Sequence, residues 1–499
     1  MSKTRAIIKD AAKFTVSGYI SSVCNFVSAV VIRKILDPFV MGVYTELMLI
    51  LDYAKYSHLG VFDSLDRQIP YYSGKSDTAG AEEAKNTGGT FSLLTSILCA
   101  LAIIAYSFFR KEPSGQLFGL GLKVAAIMVV AQSMGTFYVT IIRANMLFGA
   151  LSRYMVIIAV ADIILKASLG FRFGMIGILW ASVMTSVFGV VYLFRKTGIK
   201  FKFLKRLPRQ VLTTLLKIGF PLLLTGFGFT VLRSMDRIII ISFLTKEELG
   251  LYSIAIMVYS FVFQLPNLIY TVLFPRFYKA FGDTENIDEL KGFIEKPTMV
   301  FAYLFPILIG IGSILLPVFV RLVLPKYNQG AGAATILLFG TFFMSITNMS
   351  GYLLVALKKQ NSMVLITAVS IAANAALNIF FVAVLKMGIT GIAIGTSISY
   401  FIYSVLLIGY AMDQYVRDMA ERAKFYANAY LPVFWMAIVS FLIIPSAIRA
   451  FKGGLSDTAS LILQLAIFSI MAVPLAVYGN RITGLYERVR DAGFGSFGK

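Results

Sequence analysis

The residues able to do chemistry in this sequence are ionisable side chains set inside otherwise apolar runs: Asp52, Lys55, Lys123, Asp162, Lys166, Arg233, Asp236 and Arg237. A charge at mid-bilayer costs ~2.5–3.5 kcal/mol on insertion scales, so such groups face a polar cavity or a partner. Some partners are local. Asp52 and Lys55 stand three residues apart, Asp162 and Lys166 four apart, and Asp236 follows Arg233 by three, all spacings that meet on one helix face. Five cations against three carboxylates leave two positive charges over, and Arg33 and Arg143 at span ends add to them. A polar cavity of that sign suits an anionic substrate such as a diphosphate or an acidic sugar, because guanidinium grips phosphate through two parallel hydrogen bonds.

Each residue also has a plainer reading. Lys55 sits near a span end, where a lysine can snorkel to the interface, and Asp162–Lys166 reads equally well as a structural ion pair. Arg233 and Arg237 lie one turn apart, deep in their span, and are the strongest anion ligands. Asn374 and Asn378 fall 212 residues after Asp162 and Lys166. Asparagine in a membrane helix commonly ties one helix to another. His58 is the single histidine; its place at a span end favours an incidental role over a proton relay. Cys24 and Cys99 are too few for a disulfide framework or a metal site and read as packing residues. No cofactor and no metal are expected.

The elements that position these groups are membrane helices. The chain is 58% hydrophobic and only 14% charged, with a mean hydropathy of +0.79. Apolar runs of about 20 residues recur from end to end, each long enough to cross the ~30 Å hydrocarbon layer. They lack the two-residue alternation of a membrane barrel, which leaves helices. The predicted fold is therefore all-α and polytopic, with about fourteen spans. Span 1 is placed at 14–35, span 2 at 40–61, span 5 at 150–170, span 7 at 212–241 and span 8 at 250–273. The basic start followed by an apolar run reads as a membrane helix rather than a signal peptide, since no small-x-small cleavage site follows it. Lys and Arg number 30 on the side of the termini and 11 on the other, with five inside spans, so the positive-inside rule puts both termini in the cytoplasm. Basic loops facing anionic lipid account for the net charge of +21 without nucleic acid. Segment 62–87 is expected to be a cytoplasmic loop, and 196–209 (KTGIKFKFLKRLPR) an amphipathic linker on the inner leaflet.

The sequence also repeats itself. Lys13 precedes Arg33 by 20 residues as Lys217 precedes Arg237; Gly42-Val43-Tyr44 answers Gly250-Leu251-Tyr252 at an offset of 208; Gly174-x-x-Gly177 answers Gly388-x-x-Gly391 at an offset of 214. Two like halves in a membrane protein imply a transporter whose halves move around a central site. The expected division is a first lobe at 1–205 (spans 1–6), a second at 206–412 (spans 7–12), and an appended span pair with a tail at 413–499. A membrane polymerase or glycosyltransferase would present catalytic groups in a sizeable aqueous loop. The outer loops here are short and hold no carboxylate pair or histidine placed for acid–base work, so the chain is not expected to be an enzyme.

Several segments resemble the oligosaccharide and polysaccharide flippases of the superfamily that also holds multidrug-and-toxin-extrusion exporters and lipid II flippases. They are Arg33-Lys-Ile-Leu-Asp37-Pro-Phe-Val-Met-Gly42-Val-Tyr44, Asp66-Arg67-Gln-Ile-Pro70-x3-Gly74, Asp236-Arg237 with Leu249-Gly250-Leu-Tyr252, Phe274-Pro275-Arg276-Phe277, and Asn374-x3-Asn378 with Gly388-x2-Gly391. The resemblance implies movement of a polyprenyl-diphosphate-linked oligosaccharide from the inner to the outer leaflet, for O-antigen, capsule or exopolysaccharide assembly. It implies alternating access around a cationic cavity in the cytoplasmic membrane, alongside a polysaccharide polymerase and chain-length machinery. Under it, Arg33, Lys55, Lys123, Arg143, Lys166, Arg233 and Arg237 would bind the anionic carrier, and Asp52, Asp162 and Asp236 would pair with them or couple an ion. The alternatives are a lipid II flippase or drug exporter of the same fold.

Overall fold

The computed structural model describes residues 2–109, 115–284, 287–450 and 456–484. The expected cytoplasmic tail beyond 484 and the side chains of Phe274, Pro275 and Arg276 lie outside what is described. The described residues are helical nearly throughout, and twelve helices are long and apolar enough to cross a membrane. The count of fourteen differs from this for two local reasons. One helix, α6 (Phe148–Thr197), runs 50 residues but is bent where Gly174 takes φ +59°, so its two arms correspond to predicted spans 5 and 6. Another, α2 (Pro38–Ala54), has 17 residues and is slightly short of the usual ~20.

The chain divides into two compact units, Met1–Ser253 and Ile254–Lys499. The first holds α1 (Ser2–Ile35), α2, α3 (Val61–Gly74), α4 (Thr78–Phe109), α5 (Gly115–Ala144), α6, α7 (Arg209–Phe243) and the start of α8 (Lys246–Thr284). This division follows packing, whereas the 205/206 boundary follows the repeat; α7 groups with the first unit because it packs on α2, α3 and α4.

The tight turns that set these helices are chemically defined. At α2, Asp37 is extended (φ −82°, ψ 167°) and its side chain accepts from the Val40 amide, with proline at the first helical position, a start that replaces a missing backbone acceptor and needs no amide from the proline. The repeat-related start of α8 uses other residues for the same end. The Thr245 amide donates to Glu248 Oε2 at 3.0 Å and the Glu248 amide to Thr245 Oγ1 at 3.2 Å, a reciprocal cap. The glycines of the third repeated motif also share a positive φ: Gly174 and Gly388 have φ of +59° and +56°, open to glycine without the Cβ penalty.

One expectation needs correction. Segment 62–87 is not a loop. Its first half is the amphipathic α3, burying Val61, Phe62, Leu65 and Ile69 against Phe137, Ile141 and Ile142 of α5, and α4 already begins at Thr78. The linker expected at 196–209 is non-helical over 199–207. It is extended and strapped to α4: the Lys202 amide donates to Asn86 Oδ1 at 2.9 Å and the Leu204 amide to Thr90 Oγ1 at 3.0 Å. Phe201 meets Phe137 edge-on at 5.4 Å, which turns the alternate residues Lys200 and Lys202 outward.

The second unit contains α9 (Ile287–Val323), α10 (Ala331–Ser345), α11 (Asn348–Ala356), α12 (Gln360–Ile379), α13 (Gly388–Met412), α14 (Met419–Ile438), α15 (Ile444–Ala450) and α16 (Asp457–Thr483). Here α14 and α16 both pack on α9. The Asn378 Nδ2 donates to Asn374 Oδ1 at 2.6 Å and to Thr396 Oγ1 at 3.2 Å. These amides tie α12 to α13 as interhelical glue.

Candidate functional site

The intramembrane charges of the first unit gather along α2 and α7. Asp52 on α2 accepts from Lys55 Nζ at 2.7 Å and from Arg237 Nη1 at 3.1 Å. One turn further, the Tyr53 hydroxyl and Ser234 Oγ lie 2.6 Å apart, as do the Tyr56 hydroxyl and Thr230 Oγ1. Phe227 packs edge-on against both tyrosine rings, at 5.9 and 5.3 Å. The seam between the helices is thus polar at its centre and aromatic on one flank. Asp236, beside Arg237, is buried; it accepts the Arg237 amide at 2.7 Å and feels the charges of Arg237 and Arg233.

A second charged group adjoins the first. Lys166 pairs with Asp162 at 2.8 Å, and Ser28 of α1 donates to the same carboxylate at 2.9 Å. Arg33 is buried and committed to α8: its Nε donates to Ser253 Oγ at 3.1 Å and its Nη2 to the Ser253 carbonyl at 2.6 Å. The Tyr44 hydroxyl stands within electrostatic reach of Lys166, Asp162, Arg33 and Asp52, linking the two groups. Arg33, Lys55, Lys166, Arg233 and Arg237 therefore share one neighbourhood with Asp52, Asp162 and Asp236, five cations to three carboxylates among the described residues. Arg237 Nε is buried with no hydrogen-bond partner among the described residues, so its guanidinium retains an uncommitted donor.

Two of the candidates stand elsewhere. Lys123 is exposed, with its ammonium 5.4 Å from the centre of the Phe108 ring. Arg143 pairs at the surface with Asp66 of α3, through Nε to Oδ1 at 3.1 Å and a second, shorter contact. Neither is brought to the seam.

The ends of the seam are closed by glycines. A Cβ on Gly42 would lie 1.8 Å from the Lys246 carbonyl oxygen, and one on Gly250 would lie 1.7 Å from that of Pro38. Both pairs are related by the 208-residue offset, so the two Gly-x-Tyr copies pack on one another reciprocally. At the other end a Cβ on Gly219 would lie 1.9 Å from the Gly60 oxygen. Beside the first contact, buried Glu46 forms an ion pair with Lys246. The charge survey of the sequence passed over both. The available signal was spacing: Glu46 follows Gly42 by four residues and so shares its helix face.

Comparison with known proteins shows the fold, which is similar to that of solved MATE transporters and of a lipid II flippase. A multidrug-resistance MATE family transporter of the MOP superfamily, in an inward-facing conformation, matches with a TM-score of 0.64 at 14% identity, covering 82% of this chain and 95% of its own. A lipid II flippase, MurJ, in an inward closed conformation matches with a TM-score of 0.67 at 16% identity, covering 94% and 98%. A MOP superfamily transporter from Pyrococcus furiosus, for which a reversed polarity of the binding pocket suggests a different function, gives 0.61 at 14%, covering 84% and 96%. No curated protein sequence matches the chain. More particularly, residues 84–326 match the family described as polysaccharide biosynthesis protein. The chain is thus a multi-pass helical membrane protein that shares the fold of these transporters and flippases, and just under half of it matches the polysaccharide biosynthesis family.

Proposed function

We propose that this protein translocates a polyprenyl-diphosphate-linked oligosaccharide from the inner to the outer leaflet of the cytoplasmic membrane, by alternating access, for cell-surface polysaccharide assembly. The observation that carries the reading is the balance of five cations to three carboxylates among the described residues of the α2–α7 neighbourhood, with Arg237 offering a buried, uncommitted N–H. A diphosphate supplies the acceptor oxygens that such a group requires, in charge-assisted bonds roughly twice as strong as neutral ones. Arg233 and Arg237 hold the diphosphate. Asp52 holds Arg237 until substrate arrives, while Lys166 remains with Asp162. Lys and Arg distribution supports cytoplasmic termini, and a surface-polysaccharide polymerase is the expected downstream partner.

The match to polysaccharide biosynthesis proteins supports this cargo over lipid II, although lipid II is also an anionic lipid diphosphate. The test is leaflet-resolved transport in proteoliposomes carrying a lipid-diphosphate oligosaccharide, with Arg233→Ala/Arg237→Ala beside the wild type. Protein-dependent appearance of sugar on the opposite face, at least tenfold slower in the folded double variant, is expected. Wild-type translocation by that variant would remove the two arginines from the mechanism. Failure of the wild type with every lipid-linked sugar tried would overturn the cargo.

A further inference from the structure

The first unit holds a groove of about 450 Å³ walled by α2, α4 and α7, with Leu49, Ile50, Ile103, Ile238 and Ile241 among its lining side chains. Two other grooves of similar size are present among the described residues. One lies between α4, α5 and α6 at about 480 Å³, the other between α9 and α16 at about 470 Å³. The α2–α4–α7 groove differs from both in being lined by a charged residue, Glu46. That carboxylate is buried and held by Lys246.

Its position relative to the charged seam gives the groove a specific use. Ile241 stands four residues after Arg237 on α7, and Leu49 three before Asp52 on α2. Residues so spaced share a helix face. The same faces of the same two helices therefore run from guanidinium and carboxylate into branched aliphatic side chains within about one turn. Ala102, Tyr106 and Ser242 at the rim are exposed, whereas Leu49 and Ile103 at the floor are buried. A ligand following this path is anionic at one end and hydrocarbon at the other.

We infer that the groove between α2, α4 and α7 is the binding site for the hydrocarbon chain of the substrate's lipid carrier, holding its first isoprenoid units while the diphosphate engages Arg233 and Arg237. This rests on the flippase reading and adds to it the path of the tail. The volume falls within the 300–1,000 Å³ of ordinary small-ligand sites, so it takes a few isoprenoid units and leaves the rest in lipid. The Glu46–Lys246 pair closes the far end with groups that a hydrocarbon does not displace, and thereby sets how far the chain advances. Continuity with the cationic seam favours a prenyl diphosphate over a bulk phospholipid, whose single phosphodiester offers the two arginines fewer charged oxygens.

The test is photocrosslinking of the full-length protein in nanodiscs with a benzophenone-bearing prenyl diphosphate, the adducts being mapped by mass spectrometry. Expected are adducts within 99–106 and 238–242, competed by unlabelled prenyl diphosphate and not by phosphatidylglycerol. Ala102→Trp, at the exposed rim, should cut these adducts at least fivefold while inorganic diphosphate binding is retained. Adducts concentrated in 300–307 and 475–483, or equal competition by phosphatidylglycerol, would overturn the groove assignment. Proteoliposome transport separates the two claims: misplaced adducts with intact translocation sink only the tail site, and absent translocation sinks the cargo beneath it.

Discussion

Gly42→Ala is a direct perturbation of the closed seam. The added methyl carbon would sit 1.8 Å from the Lys246 carbonyl oxygen, a backbone atom that no side-chain rotation can remove, and real Cβ contacts do not fall below 3.0 Å. The start of α8 must therefore retreat from α2 by about 1.2 Å. Forcing such a shift in a packed interface costs about 1–3 kcal/mol, which is roughly a 5- to 100-fold shift toward the separated arrangement at 1.4 kcal/mol per tenfold. Gly250→Ala meets the reciprocal oxygen of Pro38 at 1.7 Å. The double variant should cost less than the two singles together, because one displacement relieves both clashes. Ser253, fully buried, reports the opening. In a Cys24→Ser/Cys99→Ser background, Ser253→Cys should react with a membrane-impermeant methanethiosulfonate 5- to 100-fold faster when Gly42→Ala is present. Gly135→Ala, where a Cβ meets nothing within 4 Å, is the control and should leave the rate unchanged. An unchanged rate for Gly42→Ala in a folded sample, or full additivity in the double variant, would refute the reasoning.

Two further outcomes follow from single side chains. Glu46→Gln leaves the Lys246 ammonium without its carboxylate in a partly buried setting; breaking such a pair costs up to about 3–5 kcal/mol. The variant should unfold at lower temperature, with Glu46→Gln/Lys246→Met recovering most of the loss; a Tm equal to wild type for Glu46→Gln would show the pair to be inconsequential. On α3, outside the spans, burial and then the neighbouring Asp66 push the Asp63 carboxyl above its ordinary value. A folded pKa above the unfolded one favours the protonated form, so the native state is penalised as pH rises through that range and unpenalised below it. Asp63→Asn should raise Tm at pH 7 and lose that advantage near pH 3.5; a Tm lowered at pH 7 would reverse the assignment.

Much of the helical framework was legible because apolar length and repeat spacing are properties of one strand of sequence. Gly174 and Gly388 were visible as an offset pair and turn out to share a positive φ. The short-range pairs Asp52–Lys55 and Asp162–Lys166 follow from helix periodicity and are present. What periodicity does not carry is register between helices. That Arg237 meets Asp52, 185 residues away, that Arg33 docks on Ser253, and that Lys123 points away from all of them depend on how cylinders are rotated against each other. Helix α3 was hidden because its polar face, Asp63, Arg67 and Tyr71, lowers local hydropathy to that of a loop. That the linker over 199–207 is strapped to α4 by Asn86 and Thr90 was not legible, because its pattern of basic and apolar residues names no partner.

The arrangement of charges also has a consequence for how the chain enters the bilayer during synthesis. Asp162 and Lys166 neutralise one another within one helix, so the stretch of α6 between Arg153 and Arg172 can leave the translocon nearly uncharged. Helix α7 cannot do the same. It carries Arg233 and Arg237 with only Asp236 among its own residues, and the carboxylate that receives Arg237 belongs to α2, made 185 residues earlier. The acceptor is thus already embedded when the arginines emerge, and the cost of inserting them falls as α7 docks on finished protein. Asp52 in this sense acts first as a landing place for a nascent helix, and only afterwards as a component of the mature seam.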